Sequence, residues 1–227
     1  MKKILVAAAL LASLLVATTV SAQATTKMAV GGYLGAGFSF AAGDGPENYV
    51  GADRDDRTGK FSGAIGAYFD YYFIPMLGIE AGLGFISQGV HWKDDDVFMK
   101  VRHFYMELPV MAKLNIKNFH VAAGLAFWFA LSGKTSFDIG IADDEDTWSG
   151  DDWDYFHRVN LGFKFQAGYA IPVGPIAIVP GLQWNIHLVN DLNRPEIDDD
   201  VPGDIDNSDY RSRYNALLLT CSVEWGF

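Results

Sequence analysis

Eight stretches of this chain alternate bulky apolar residues with small or polar ones at a period of two. In the first, Val30, Leu34, Ala36, Phe38 and Phe40 share one face, and Gly31, Tyr33, Gly35, Gly37 and Ser39 share the other. The second sets Phe61, Ile65, Phe69 and Phe73 against Ser62, Ala64, Tyr68 and Asp70. The last sets Leu217, Leu219, Cys221, Val223, Trp225 and Phe227 against Leu218, Thr220, Ser222 and Glu224. Such alternation means strands whose two faces meet different media. Each stretch reaches the ~9–11 residues that a tilted membrane strand needs. A soluble sandwich shows the same period, but its strands are usually shorter.

The connections carry a second pattern. Residues 74–76, 115–118 and 172–175 are short and rich in Pro, Gly or Asn, whereas residues 42–60, 93–100, 132–155 and 190–213 are longer. Short turns at one end and long loops at the other are the arrangement of an outer-membrane barrel. The expected fold is therefore all-β: an eight-stranded antiparallel up-and-down transmembrane β-barrel. A ten-stranded version remains open if residues 135–141 and those following add a membrane hairpin. An even strand count puts both termini on the periplasmic side.

Lys2 and Lys3 precede an apolar run that ends in Ser21, Ala22, Gln23 and Ala24. A basic start, an apolar centre and a small-residue site make residues 1–24 a secretory signal peptide, with cleavage after Ala22 or Ala24. Residues 25–227 are then a single barrel domain. No other apolar run approaches the ~20 residues of a membrane helix. No Cys stands at the end of the apolar run, so a lipid anchor is not expected, and Cys221 is the only cysteine, which excludes an intrachain disulfide. The formal charge of −11 argues against nucleic acid as a partner.

The segment Tyr105-Met106-Glu107-Leu108-Pro109-Val110 resembles the Y-x-E-h-P-h strand of small outer-membrane β-barrel proteins of the porin-like or PorT-like kind. The glycine-rich first strand and the terminal Phe227 agree with that family. The resemblance implies a bacterial outer-membrane barrel whose closing strand is read by the barrel assembly machinery. It implies no reaction, and no pore of necessity. Pro109 withholds a ladder donor, so a bulge or bend is expected there.

The inward faces carry the chemistry. A tight hairpin centred on Pro75 places Asp70 opposite Glu80. The next hairpin is expected to bring Glu80 near Glu107 or Pro109, so that three carboxylates share one wall. Lys164 is the inward cation expected at a similar depth, with Lys113 and Arg158 nearer the ends and Glu224 apart, by the periplasmic mouth. Two readings follow. Asp70, Glu80, Glu107 and Lys164 form a charge network that fills the lumen, or they line a narrow path for ions or small solutes. The filled lumen takes precedence, because eight strands enclose a space just wide enough for side chains.

Acidic runs such as Asp94-Asp95-Asp96, Asp143-Asp144-Glu145-Asp146 and Asp198-Asp199-Asp200 fall in the long loops. They read as a solvated surface. The alternative is Ca²⁺ or Mg²⁺ bridging to anionic lipopolysaccharide, with Asp204 and Asp206 as Ca²⁺ candidates; their stretch lacks the glycine and glutamate of a complete Ca²⁺ loop. No catalytic residue and no cofactor are expected. His91, His103, His120, His157 and His187 have no local serine or zinc-ligand partner pattern, and lipid A modification is the enzymatic alternative. The expected role is a monomeric structural or surface-interacting, adhesin-like barrel whose partners are outer-membrane lipids and lipopolysaccharide. The alternative is a narrow porin-like channel.

Overall fold

The computed structural model of the protein describes residues 27–42, 57–94, 97–138, 143–148, 157–189 and 213–226. The strands are β1 (Met28–Ala42), β2 (Arg57–Ile74), β3 (Leu77–Asp94), β4 (Val97–Ile116), β5 (Phe119–Asp138), β6 (Asp143–Trp148), β7 (Val159–Tyr169), β8 (Ile171–Val173), β9 (Ile176–His187) and β10 (Arg213–Gly226). Neighbours in sequence pair antiparallel around a ring, and β10 pairs with both β9 and β1. Closure leaves no unpaired edge, which a sheet immersed in lipid requires. β7 and β8 both pair with β9 and act as one wall strand interrupted at Ala170. The ring thus has eight staves.

β6 lies outside that ring and pairs only with the far end of β5, from Gly133↔Trp148 to Asp138↔Asp143. The third long connection therefore adds a hairpin above the barrel and not a membrane pair, which removes the ten-stranded alternative. A second loop is also mostly strand: β3 continues to Asp94 and β4 resumes at Val97. At 20 residues each, β4 and β5 run well past the ~9–11 that span a membrane.

Parity decides what each side chain meets. Leu219 is 70% exposed on the outer wall while Leu218, its neighbour, is fully buried inside. Leu34, Phe61, Ile65, Val110 and Trp225 lie exposed on the same outer band. In water such a surface would be a severe liability; against acyl chains it is the favourable contact.

The ladder shifts register within β2–β3, between Gly59 and Gly63 and between Tyr72 and Ile74, and again between β4 and β5. The register of β4 with β5 shifts between Phe104 and Tyr105, leaving Leu131 as an extra residue. Pro109 makes no bulge, contrary to expectation. Its pairing with β5 is regular at Ala126, and the β3 register is the same on both sides, at Ala81↔Val110 and Gly84↔Glu107. Gly82 supplies the room: a Cβ there would lie 3.2 Å from Pro109 Cγ. Gly162 answers a tighter approach, since a Cβ would fall 1.9 Å from the Ile186 carbonyl oxygen and 2.9 Å from the Trp128 ring. Gly162→Ala is expected to lower unfolding stability by about 1–3 kcal/mol through overpacking, read from urea unfolding of the refolded protein followed by tryptophan fluorescence.

Candidate functional site

The lumen is filled in storeys. Nearest the short turns, β4 projects Lys113 inward from beside the 115–118 connection. Its Nζ lies 2.6 Å from Asp70 Oδ2, 3.2 Å from Glu80 Oε2 and 3.4 Å from Glu224 Oε2. Asp70 and Glu80 face each other across the β2–β3 hairpin, in the register that the tight Pro75 turn dictates. Tyr72 donates to Asp70 Oδ2 at 3.3 Å, and Tyr68 donates to Glu224 Oε2 at 3.4 Å. The Lys113 ammonium also lies 5.1 Å from the centre of the Tyr68 ring, within cation–π range. Gly31 makes way for that ring: a Cβ there would fall 2.2 Å from Tyr68 Cζ.

The middle storey is built on Glu107. Lys164 donates to its Oε1 in a short ion pair, and Tyr33 donates to the same oxygen at 3.1 Å. Trp128 Nε1 and Asn185 Nδ2 donate to Oε2 at 2.9 and 3.2 Å. Four donors on one carboxylate satisfy its acceptor capacity. Gln183 then donates to Asn185 Oδ1 at 3.1 Å, carrying the network onto a further inward position of β9. Glu107, Trp128, Lys164 and Asn185 come from four consecutive staves, β4, β5, β7 and β9, and Tyr33 of β1 reaches them across the lumen.

Above it the lumen turns aromatic and apolar. Tyr105, Ile86, Ala126, Ala216 and Leu218 are buried together with Trp128. His187 stacks on Trp128 at 4.4 Å, and His103 shares a hydrogen bond with the Tyr105 hydroxyl at 3.1 Å. Ser39, Ser62, Gln88 and Asn215 are buried at the same end, so polar and aromatic side chains fill it together.

The four residues expected as one network do not form one. Asp70 and Glu80 sit in the lower cage, Glu107 and Lys164 in the middle storey. The cause is register: Glu80 pairs with Met111, whereas Glu107 pairs with Gly84. Two residues of the lower cage escape a reading by parity alone. Lys113, placed near an end by its sequence position, reaches Asp70 and Glu80 because a lysine stem is long. Glu224, expected apart, shares the same ammonium, since β10 closes against β1 and lies across the lumen from β4. Inward parity on strands meeting at the short-turn end was the available signal for both.

A cavity of about 20 Å³ lies among Tyr33, Tyr68, Glu80, Lys113, His120 and Gln183. It has room for roughly one water. Among the described residues no group of three or more His, Cys, Asp or Glu side chains is arranged to hold a metal ion. Asp94 and the 143–146 run have described backbone in β3 and β6. The other acidic runs, with Asp204 and Asp206, lie outside the described residues, as do residues 1–24 and Phe227. Cys221 is exposed on the outer wall.

Comparison with known proteins follows the same architecture. A family model described as outer membrane protein beta-barrel domain matches residues 21–190. Among solved structures, Neisserial surface protein A is similar at 13% identity and a TM-score of 0.42, with 89% of this chain and 98% of that one covered. Ail, the attachment invasion locus protein of Yersinia pestis, solved with the heparin analogue sucrose octasulfate, is 12% identical with a TM-score of 0.39, covering 88% and 99%. The outer membrane protein OprG from Pseudomonas aeruginosa is 13% identical with a TM-score of 0.39, covering 92% and 99%. None of these three similarities bears on activity. No curated protein matches the chain.

Proposed function

Because the chain belongs to the outer membrane protein beta-barrel domain family, we propose that it serves the bacterial outer membrane as a closed barrel, with a structural and surface-displaying role and no transport or catalytic one. The observation that carries this reading is the saturation of Glu107. Its carboxylate gathers Lys164, Tyr33, Trp128 and Asn185 at mid-height, and no side chain there is left to move aside without breaking a buried bond. A conducting lumen needs a continuous wet path, and eight strands leave room for one only if inward side chains are small. Here they include Trp128, Tyr105 and Tyr33, all deeply buried. In this reading the short turns and both termini face the periplasm. The long-loop end, where β3 to β6 rise past the membrane, faces outward and presents the acidic loops. The protein is monomeric and meets lipid along its whole outer wall.

Purified protein in planar bilayers is expected to give no stable conductance steps under voltage. Defined, reproducible steps from the wild-type barrel would establish the narrow channel instead.

A further inference from the structure

The outer wall is not uniformly bulky. On its short-turn half it carries a groove of about 550 Å³ whose lining is almost wholly apolar. Two rows of outward side chains form its sides, each following the ladder from strand to strand. One row runs Ala112, Ala123, Phe165, Trp184 and Leu217 through β4, β5, β7, β9 and β10. The other runs Leu77, Leu114, Val121, Ala167 and Leu182 from β3 to β9. Between the rows Lys113, Ala122 and Gln183 turn into the lumen, so the floor is bare backbone. Ala112, Ala123 and Ala167 keep the space open, since a bulky side chain at any of them would project into it.

Lipid touches the whole wall, but the course of this groove selects one kind of occupant. Ladder rows climb around a barrel because its strands tilt. Leu77 opens β3 beside the 74–76 turn. Trp184 stands eight residues beyond Ile176, where β9 begins, roughly 26 Å along the strand and about 20 Å in height at the usual tilt. The hydrocarbon of one leaflet is about 15 Å deep. The groove therefore rises from the short-turn rim to near the bilayer midplane, which is the path of an acyl chain anchored at the interface. The rim supplies a charge at the lower end. Lys117, in the β4–β5 turn, is exposed three residues past Leu114, roughly 10 Å along the chain. Its ammonium has no anionic partner among the described residues. A lysine acts on phosphate as a point charge, and one ammonium matches the single negative charge of a phosphodiester.

We propose that this groove is a binding site for one glycerophospholipid of the leaflet at the short-turn end, with an acyl chain lying between the two rows and the phosphate held by Lys117. The inference rests on the membrane setting of the proposed function and adds to it one fixed lipid, held more tightly than those around it. Leu77 and Leu114 flank the carbons next to the glycerol, and Trp184 and Leu217 meet the methyl end.

The test uses the full mature chain refolded in a non-ionic maltoside detergent and native mass spectrometry of the barrel released from its micelle. Dipalmitoyl phosphatidylglycerol, the diacylglycerol with the same chains, and bis-phosphorylated lipid A are titrated in parallel. Wild-type protein is expected to retain one phosphatidylglycerol, and to hold the diacylglycerol about fivefold less tightly. Ala112→Leu/Ala123→Leu, which fills the groove with side chains that a lipid-facing wall accepts, should weaken retention by about tenfold or more. Lys117→Gln should bring phosphatidylglycerol down to the level of the diacylglycerol and leave the diacylglycerol unchanged, while Lys117→Arg keeps the preference. Ala67→Leu, exposed on the outer wall of β2 away from the groove, should change nothing. A heat-shifted band on gels confirms that each variant is folded. Equal retention by the leucine pair and wild type, equal binding of phosphatidylglycerol and diacylglycerol, or tighter binding of lipid A would each overturn the site. So would a wild-type dimer that the leucine pair dissociates, since the occupant would then be a second copy of the chain. Conductance and orientation do not enter in micelles, so failure here leaves the sealed barrel standing.

Discussion

Replacing Lys113 by methionine is expected to destabilise the barrel by about 3–5 kcal/mol, the cost of leaving buried charges without their partner. One ammonium is shared by Asp70, Glu80 and Glu224 at 2.6, 3.2 and 3.4 Å, and the four side chains are only 0–4% exposed. Methionine fills nearly the same volume, so little of the loss comes from packing. What remains is a set of three carboxylates around one empty centre, two of them directly across a hairpin. The tyrosine hydroxyls of Tyr68 and Tyr72 each serve one carboxylate and cannot replace a full charge. Urea unfolding in micelles, followed by tryptophan fluorescence and by the heat-shifted gel band, gives the number. Adding Asp70→Asn and Glu80→Gln to Lys113→Met should restore most of it, because the repulsion goes with the charges. A loss below about 1 kcal/mol, or no recovery in the triple variant, would mean that the cage is not held by charge.

The two polar storeys differ in how they are satisfied, and the difference bears on function. Every lone pair of Glu107 that the geometry can use has a donor. In the lower cage, Asp70 Oδ1 is buried with no hydrogen-bond partner among the described residues. The nearby cavity of about 20 Å³ is polar and has room for one water. Whatever hydration the lumen holds is thus expected at the short-turn end, below the Glu107 seal.

Alternation made the barrel legible because a period of two is a local property. Leu218 and Leu219 differ in medium solely by parity, and a reader of the sequence can count parity without knowing the fold. The level of a residue inside the lumen is a different kind of fact. It depends on the register of every hairpin between two strands and on the shear that closes the ring. The Pro75 turn is tight enough that Asp70↔Glu80 follows from counting. The β3–β4 hairpin closes between Asp94 and Val97, far beyond where the apolar pattern ends, so Glu80 meets Met111 rather than Glu107 or Pro109. Lys113 and Glu224 were invisible as partners for the same reason: 111 residues separate them, and nothing local ties β10 to β4 in height.

Glu107 is the second position where a single change is expected to be severe. Glu107→Leu should cost about 3–5 kcal/mol, since it strands the Lys164 ammonium, fully buried at mid-barrel, and removes the acceptor of Tyr33, Trp128 and Asn185 together. The cation–π contact of Lys164 with Tyr33, at 5.0 Å, offsets only part of that. The pair is informative because its double replacement should behave oppositely. In Glu107→Leu/Lys164→Met both charges are gone, volume is nearly kept, and the remaining penalty is that of three neutral donors. The double variant should therefore be more stable than Glu107→Leu alone by at least about 2 kcal/mol, by the same urea measurement. If the two variants are equally unstable, Glu107 acts through its neutral donors and not through Lys164. The bilayer assay separates stability from sealing. Both apolar replacements keep the mid-storey filled, so a folded double variant should remain silent, whereas Glu107→Ala/Lys164→Ala empties that storey. Conductance steps in the alanine pair, absent from both wild type and the leucine–methionine pair, are the result expected if side-chain volume at Glu107 is what closes the lumen. A silent, folded alanine pair would place the seal in the aromatic storey of Tyr105, Trp128 and His187 above it.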